Sequence, residues 1–291
     1  MSDFQTIGII AKQGDSALNE TLVRLLSHLG ERGRDVVLDT SAAELLPGRH
    51  HEGVDREEIA ARCDLAVVVG GDGTLLNAGR SLADAEVPIL GVNQGRLGFL
   101  VDVSPEEMPA RLDDILEGRY LEEPRTLLRS RIERGGEVIH EAEALNDVVI
   151  HIRDVVRMIE FDTHIDGRFV NTQRADGLIV STPTGSTAYS LSGGGPILHP
   201  ALDALVLVPI CPHTLSHRPI VVDGERRIEI ALRAQNTAPA QVAFDGQSSV
   251  DLEPEDRVVI VRGPRRLRLI HPQGYDFFHI LRAKLRWGEQ P

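Results

Sequence analysis

The stretch VVVGGDGTLL at residues 67–76 decides how the first half of the chain is read. An apolar run stops at Gly70-Gly71-Asp72-Gly73-Thr74, and a second apolar run begins at once with Leu75 and Leu76. A strand that ends in glycines and runs into a helix places its turn at the carboxyl edge of a parallel sheet, where such sheets take ligands. Glycine permits positive φ and close backbone approach, and the amides of a helix's first turn favour an anion. Asp72 does not suit a bare phosphate cradle, because a second anion beside phosphates costs energy unless it has a task. It either holds a metal that bridges phosphate oxygens or accepts the proton of a hydroxyl that attacks phosphorus. The loop is neither Gly-x-x-x-x-Gly-Lys-Ser/Thr nor Gly-x-Gly-x-x-Gly, and in isolation it equally describes a tight turn whose aspartate caps a helix.

Around this loop the first ~120 residues alternate two periodicities, as in strand–helix repeats of an α/β fold. Thr6 to Ile10, Asp35 to Leu38, Leu65 to Val69 and Pro88 to Val92 are short apolar runs, as expected of strands buried on both faces of a parallel sheet. Leu18, Leu22, Leu25, Leu26 and Leu29 form a helical stripe that closes at Gly30, read as a C-terminal cap. Ser104-Pro105-Glu106-Glu107 reads as a helix start with an N-cap serine, followed by Met108, Leu112 and Ile115 on one face. The pattern predicts an open, doubly wound α/β domain over residues 1–122.

From about Thr126 the character changes to short alternating segments. Arg131 to Glu133 and Val138 to His140 flank Gly135-Gly136, and Phe161 to Ile165 and Arg168 to Val170 flank Asp166-Gly167, both hairpin signals. Further alternation at Arg227 to Leu232, Ala240 to Phe244, Arg257 to Val261 and Arg266 to Ile270 predicts a mostly β domain over residues 123–274. Phe277, Leu281 and Leu285 then fall at helical spacing, and a helix within 275–291 is expected to pack back on the first domain.

Composition excludes several classes. With 31 basic and 44 acidic residues the 291-residue chain carries a formal charge of −13, which opposes broad attraction to nucleic acid or anionic lipid. Bound phosphate must therefore be held locally. Cys63 and Cys211 lack the spacing of a zinc site or a disulfide framework and read as reduced, buried thiols. The run from Ala204 to Val208 is cut by Pro209, far short of the ~20 residues a membrane span needs. The N-terminus does not read as a signal peptide, so a soluble cytoplasmic protein is expected. His50, His51, His213 and His217 have no convincing ligand set around them, and RRLRLI at 265–270 reads as a strand with a solvated charged face.

The run DGLIVSTPTGSTAYSLSGGGP, Asp176 to Pro196, is dense in hydroxyls and glycines suited to the polar edges of a nucleotide. Together with GGDGT at 70–74, GVNQGRLGFL at 91–100 and LNDVVI at 145–150, it resembles the NAD kinases in order and spacing from about residue 65 to 250. The resemblance implies a kinase that transfers the γ-phosphoryl of ATP, with Mg²⁺ or another divalent cation, to the 2′-hydroxyl of the adenosine ribose of NAD. It further implies a Rossmann-like N-terminal domain and a β-sandwich-like C-terminal domain, a homo-oligomer, dimer or tetramer, and Asp72 as general base with Gly70, Gly71, Gly73 and Thr74 around it.

On the same resemblance, Asn146 and Asp147 match the motif that contacts the adenosine part of NAD, and Asp176 opens the long glycine-rich motif. Its segment Thr187, Ala188, Tyr189, Ser190, Leu191 and Ser192 matches the substrate-contacting stretch. Arg157, Arg174 and Gln247 fall where related bacterial enzymes place further dinucleotide contacts. The family commonly has Ser-Ala-Gly-Gly-Pro where this chain has Ser192-Gly193-Gly194-Gly195-Pro196, and Gln94 and Arg96 occupy variable positions of the third motif.

Each of these residues also has a bland reading. Asn146-Asp147 suits a polar strand start, Arg157 an outward-facing strand residue, Arg174 a surface ion pair, and Phe99 and Tyr189 the closing of a core beside glycine turns. Two rival functions share parts of the pattern: a lipid or diacylglycerol-type kinase with a GGDGT loop, and a non-catalytic dinucleotide sensor. The chain has a strong base candidate but no obvious covalent nucleophile with a neighbouring base, which favours direct in-line transfer.

Overall fold

The computed structural model describes residues 4–46, 52–95, 97–153, 157–214 and 216–287. The chain divides into two units, Met1–Pro124 with Leu267–Pro291, and Arg125–Arg266. The second division, between Arg266 and Leu267, falls inside the long strand Arg257–Pro272.

The first unit contains β1 (Thr6–Ala11), β2 (Asp35–Leu38), β3 (Leu65–Val69) and β4 (Ile89–Val92). Between and after them run α1 (Asn19–Glu31), α2 (Thr40–Glu44), α3 (Arg56–Arg62), α4 (Asp72–Leu82) and α5 (Met108–Leu116). The strands pair in the order β2-β1-β3-β4, all parallel, and Leu269 and Ile270 add a further parallel partner beside Ile89 and Leu90. Ile7, Ile9, Val67 and Val69 pack with Leu22, Leu25 and Leu29 of α1 and Met108, Leu112 and Ile115 of α5. On the opposite face a Cβ at Gly8 would come within 2.9 Å of Ile59 in α3, so Gly8 lets that helix lie close. Helices on both faces explain why these strands read as unbroken apolar runs.

Two helix ends refine the sequence reading. The stripe of α1 continues past Gly30 to Glu31, and Gly33, at φ 64°, takes the left-handed position while Arg34 N–H donates to Leu29 O. Ser104 does form a capping box, its hydroxyl accepting from Glu107 N–H at 3.2 Å and lying 3.2 Å from the Glu107 carboxylate, but on the turn that precedes α5.

The second unit is built from β5 (Tyr120–Arg134), β6 (Glu137–Ala144), β7 (Asp147–Ile152), β8 (Ile159–Ile165), β9 (Arg168–Ala175) and β10 (Gly177–Ser181). A short α6 (Tyr189–Ser192) precedes β11 (Ala204–Ile210), β12 (Ile220–Asp223), β13 (Ile228–Leu232), β14 (Ala240–Phe244), β15 (Ser248–Leu252) and β16 (Arg257–Pro272). One antiparallel sheet has the order β12-β11-β10-β7-β14-β15, and the other joins β16, β13, β8 and β9 with the β5–β6 hairpin. Ile150, Leu178, Val242 and Phe244 of the first sheet share a core with Leu128, Phe161, Ile230 and Ile260 of the second. Gly135 and Gly136 (φ 59° and 88°) and Asp166 and Gly167 (φ 50° and 73°) make the tight turns their sequences announce. The two alternating segments at 257–261 and 266–270 are one strand, β16, whose residues from Leu267 onward belong to the first unit.

The chain ends its described part with α7 (Phe277–Leu285), in the first unit. Cys63 is buried, and burial pushes its thiol up to about 11, whereas Cys211 is exposed rather than buried. Among the described residues no helix is long and apolar enough to cross a membrane.

Candidate active site

In the first unit the strand order reverses between β1 and β3, and ligands of doubly wound sheets bind at the carboxyl ends of the strands beside such a reversal. The Gly70–Thr74 loop leaves β3 at that place, with Gly71 as N-cap of α4 and Asp72 its first residue. The three glycines have different reasons. A Cβ on Gly70 would meet Thr74 Oγ1 at 2.6 Å, so Gly70 serves the packing of the turn; a Cβ on Gly71 would find nothing within 4 Å, which leaves room for a ligand. Gly73 is exposed in the first turn of the helix.

Asp72 is held by the third motif. Phe99 N–H donates to its Oδ2 at 2.9 Å, and the Leu100 and Val101 N–H groups donate to its Oδ1 at 2.9 and 3.3 Å. A Cβ on Gly98 would fall 2.3 Å from Asp72 Oδ1, so only glycine lets that loop close on the carboxylate. Three amides occupy three of the roughly four lone-pair positions of a carboxylate, which fixes its orientation and leaves Oδ2 one acceptor site. The carboxylate borders a pocket of about 380 Å³ lined also by Gly71, Gln94, Gly98 and Lys284. Gln94 in turn donates to Asp15 Oδ2 at 2.7 Å beyond the end of β1. The sequence reading named neither Lys284 nor the task of Gly98. The glycine of GVNQGRLGFL was a usable signal, whereas nothing local to Lys284 could have pointed here.

In the second unit, three distant segments meet at one sheet edge. The start of β7 lies against the end of β10, Asp147 opposite Ser181, and against the end of β14, Val148 opposite Phe244. The Asp245 carboxylate, at the left-handed turn after β14, accepts the N–H groups of Leu145, Asn146 and Asp147 at 3.0, 2.7 and 3.2 Å. Thr182 Oγ1 donates to Leu145 O at 2.6 Å, and a Cβ on Gly185 would strike Asn146 O at 2.2 Å, so this glycine lets the Thr184–Thr187 turn touch the Asn146 backbone. Asp147 is buried; desolvation, and then the neighbouring Asp245 charge, push its carboxyl up to about 7. Gln247 is exposed on the same β14–β15 turn, its N–H donating to Phe244 O. Asp245 is the residue the sequence reading missed here, although its Asp-Gly turn signal was present.

Within the 187–192 segment, Thr187, Ala188 and Leu191 are half-buried and Tyr189 and Ser192 exposed, but Ser190 is fully buried. Its hydroxyl lies where a Cβ on Gly195 would stand at 2.5 Å. Ser190 therefore packs the turn against Gly195, unlike its more exposed neighbours in the segment. At Gly193, where the chain departs from the family pattern, a Cβ would press on the flexible side chains of Val208 at 3.0 Å and Ile179 at 3.3 Å, while Gly194 takes a φ of 85°.

Two further predicted contacts are not gathered at this edge. Asp176 and Arg174 flank the opposite end of β10, where Asp176 O accepts from Ile152 N–H. Five strand residues put that end roughly 20 Å from Thr182. Arg174 is exposed beside Glu160 at 3.4 Å, and Arg157 is exposed. The Arg174–Glu160 contact is one of the two arrangements the sequence allowed for Arg174.

Among the described residues no three His, Cys, Asp or Glu side chains gather as a metal site, His213 and His217 included. His50, His51 and Arg96 lie outside the described residues. A single oriented carboxylate beside an open pocket does suit Mg²⁺, which is commonly held by one or two carboxylates and the substrate's own phosphates.

A doubly wound sheet with a carboxylate-bearing glycine loop at its reversal point, joined to a β unit with a polar turn cluster, defines a nucleotide-using phosphotransferase. Residues 7–120 match the ATP-NAD kinase N-terminal domain and residues 145–272 the ATP-NAD kinase C-terminal domain. The NAD kinase of Nitrosococcus oceani is 51% identical over 99% of this chain and 98% of its own, and that of Hahella chejuensis 50% identical over 99% and 97%. Among solved structures, yeast NADH kinase complexed with NADH superposes with a TM-score of 0.89 at 27% identity, covering 99% of this chain and 89% of that one. An NAD kinase from Archaeoglobus fulgidus in complex with ATP gives 0.74 at 28% identity, covering 97% and 98%. The chain belongs to the ATP-NAD kinase family. It is a kinase that uses ATP to phosphorylate NAD to NADP, and the lipid kinase reading falls away.

Proposed function

We propose that the γ-phosphoryl of ATP passes directly to the 2′-hydroxyl of the adenosine ribose of NAD, with Asp72 as general base. The proton of the hydroxyl goes to Asp72 Oδ2, the ribose oxygen forms the new bond to phosphorus, and the bond from phosphorus to the β–γ bridging oxygen breaks, releasing ADP. The observation that carries this reading is the Asp72 carboxylate, oriented by three amides at a helix start and bordering a pocket. Mg²⁺ enters as part of the ATP substrate, spreading charge over the phosphates, with Asp72 the nearby protein carboxylate. Asn146, Asp147, Thr187, Ala188, Tyr189 and Ser192 form the dinucleotide side of the reading, supported by their gathering at one sheet edge. Arg174 and Asp176 lie at the far end of β10, and a second copy of the chain in a homo-oligomer is the route we propose by which they reach a dinucleotide. Exposed Val138, Ile139, Phe169 and Val221 supply apolar surface for such a homo-oligomer. A cytoplasmic location suits the substrates.

The test is NADP formation from NAD, ATP and Mg²⁺ by the purified protein, with Asp72→Asn beside it. NADP made by the wild type and scarcely by the variant supports the base assignment. Trapping a phosphorylated residue on the turnover path refutes direct transfer.

A further inference from the structure

The pocket beside Asp72 must accept a polyphosphate, yet the chain as a whole is acidic and the loop itself adds a negative charge. Among the described residues lining that pocket, the one cation is Lys284. It comes from α7, more than two hundred positions from the glycine loop. Near the end of a helix a lysine is often only a favourable partner of the helix dipole. Here Nζ instead reaches out of its own helix and donates to Leu97 O at 2.8 Å, and it stands 5.6 Å from the centroid of the Phe99 ring.

Leu97 and Phe99 belong to the loop whose next amides clamp Asp72, so one five-residue segment positions both the carboxylate and the ammonium. The carbonyl takes one of the three N–H groups of Nζ, and two remain for oxygens of a ligand. The start of α7 is itself anchored. His271 Nδ1 lies 3.0 Å from Asp102 Oδ2, the His271 ring stacks on Tyr275 at 3.7 Å, and Asp276 caps the helix by accepting from Phe278 N–H at 2.8 Å. Lys284 is thus presented by a held helix rather than by a loose tail.

We propose that Lys284 binds the phosphoryl donor, its ammonium holding phosphate oxygens of ATP in the pocket bordered by Asp72. This rests on the reading that this pocket is where phosphoryl transfer takes place, but it concerns affinity for polyphosphate and not the proton transfer. The assignment makes a kinetic distinction: Lys284 sets the donor's KM, Asp72 sets kcat.

The experiment compares wild type, Lys284→Met, Lys284→Arg and Asp72→Asn by KM for Mg-ATP, KM for NAD, and inhibition and calorimetric binding of inorganic tripolyphosphate. A charge-assisted contact of this kind predicts about a 10- to 100-fold rise in ATP KM and in the tripolyphosphate constants for Lys284→Met. NAD KM should stay within about twofold, and Lys284→Arg should recover most of the loss because it keeps the charge. Unchanged ATP KM and tripolyphosphate binding in Lys284→Met overturn the proposal. So does an equal loss toward ATP and NAD with a lowered Tm, which would mean that the Leu97 contact only props the loop. Should Asp72→Asn turn over normally, the base assignment fails while tripolyphosphate binding still decides the role of Lys284.

Discussion

The two units each hold a carboxylate at a sheet edge, and the two are treated in opposite ways. Asp72, in the parallel unit, is half-exposed and meets three N–H donors from one loop. Asp147, in the sandwich, is 4% exposed and has a second carboxylate, Asp245, as neighbour. Burial with a like charge favours the neutral acid, which can donate a proton to a hydrogen bond, whereas an amide-clamped carboxylate offers an acceptor. The residue type is the same, so the surroundings set the two apart: three backbone amides hold one carboxylate, while burial beside a second carboxylate raises the pKa of the other.

The largest way to break this contrast is at Asp72. Asp72→Asn keeps the shape and is expected to lower kcat by about 10²–10⁴-fold with little change in NAD affinity, read by steady-state kinetics. Near-normal turnover would remove Asp72 from the base role.

At Asp147 the expected effect is on stability. Below about pH 3.8 its carboxyl is neutral in both folded and unfolded states, and burial costs no charge. As pH rises toward about 7 the unfolded chain loses that proton while the folded one keeps it, so folding stability declines across this window. The full difference corresponds to on the order of 4 kcal/mol. Asp147→Asn should flatten that decline in denaturant titrations run from pH 4 to pH 8; an unchanged slope would mean that Asp147 is ionised when folded.

Gly98→Ala sharpens the account of the clamp. The added Cβ would lie 2.3 Å from Asp72 Oδ1 and 2.5 Å from Val101 Cγ2, so a loss of about 1–3 kcal/mol in stability and a fall in kcat are expected together. Gly71→Ala has open space and should leave Tm within about a degree, acting only on ATP KM. The smallest effect belongs to Ser190→Ala. Its buried hydroxyl has no hydrogen-bond partner among the described residues, so the change should leave NAD KM unaltered and stability within about 0.5 kcal/mol. A large rise in NAD KM would return Ser190 to the substrate surface.

The sequence by itself determined what depends on near neighbours in the chain. The apolar runs of β1 to β4, the leucine face of α1, the hairpin turns at Gly135-Gly136 and Asp166-Gly167, and the strand–loop–helix step at Asp72 follow from side-chain period and glycine chemistry within a few residues. What only the tertiary structure decided was pairing over long separations. It put the glycine loop at the β1–β3 reversal, made one strand of two segments in β16, and turned Ser190 inward. It likewise brought Asp245 to the backbone of Asn146 and delivered Lys284 to the loop that clamps Asp72. Local periodicity says which face of an element is buried, but not which distant element covers it, since that choice is made by packing the whole core at once.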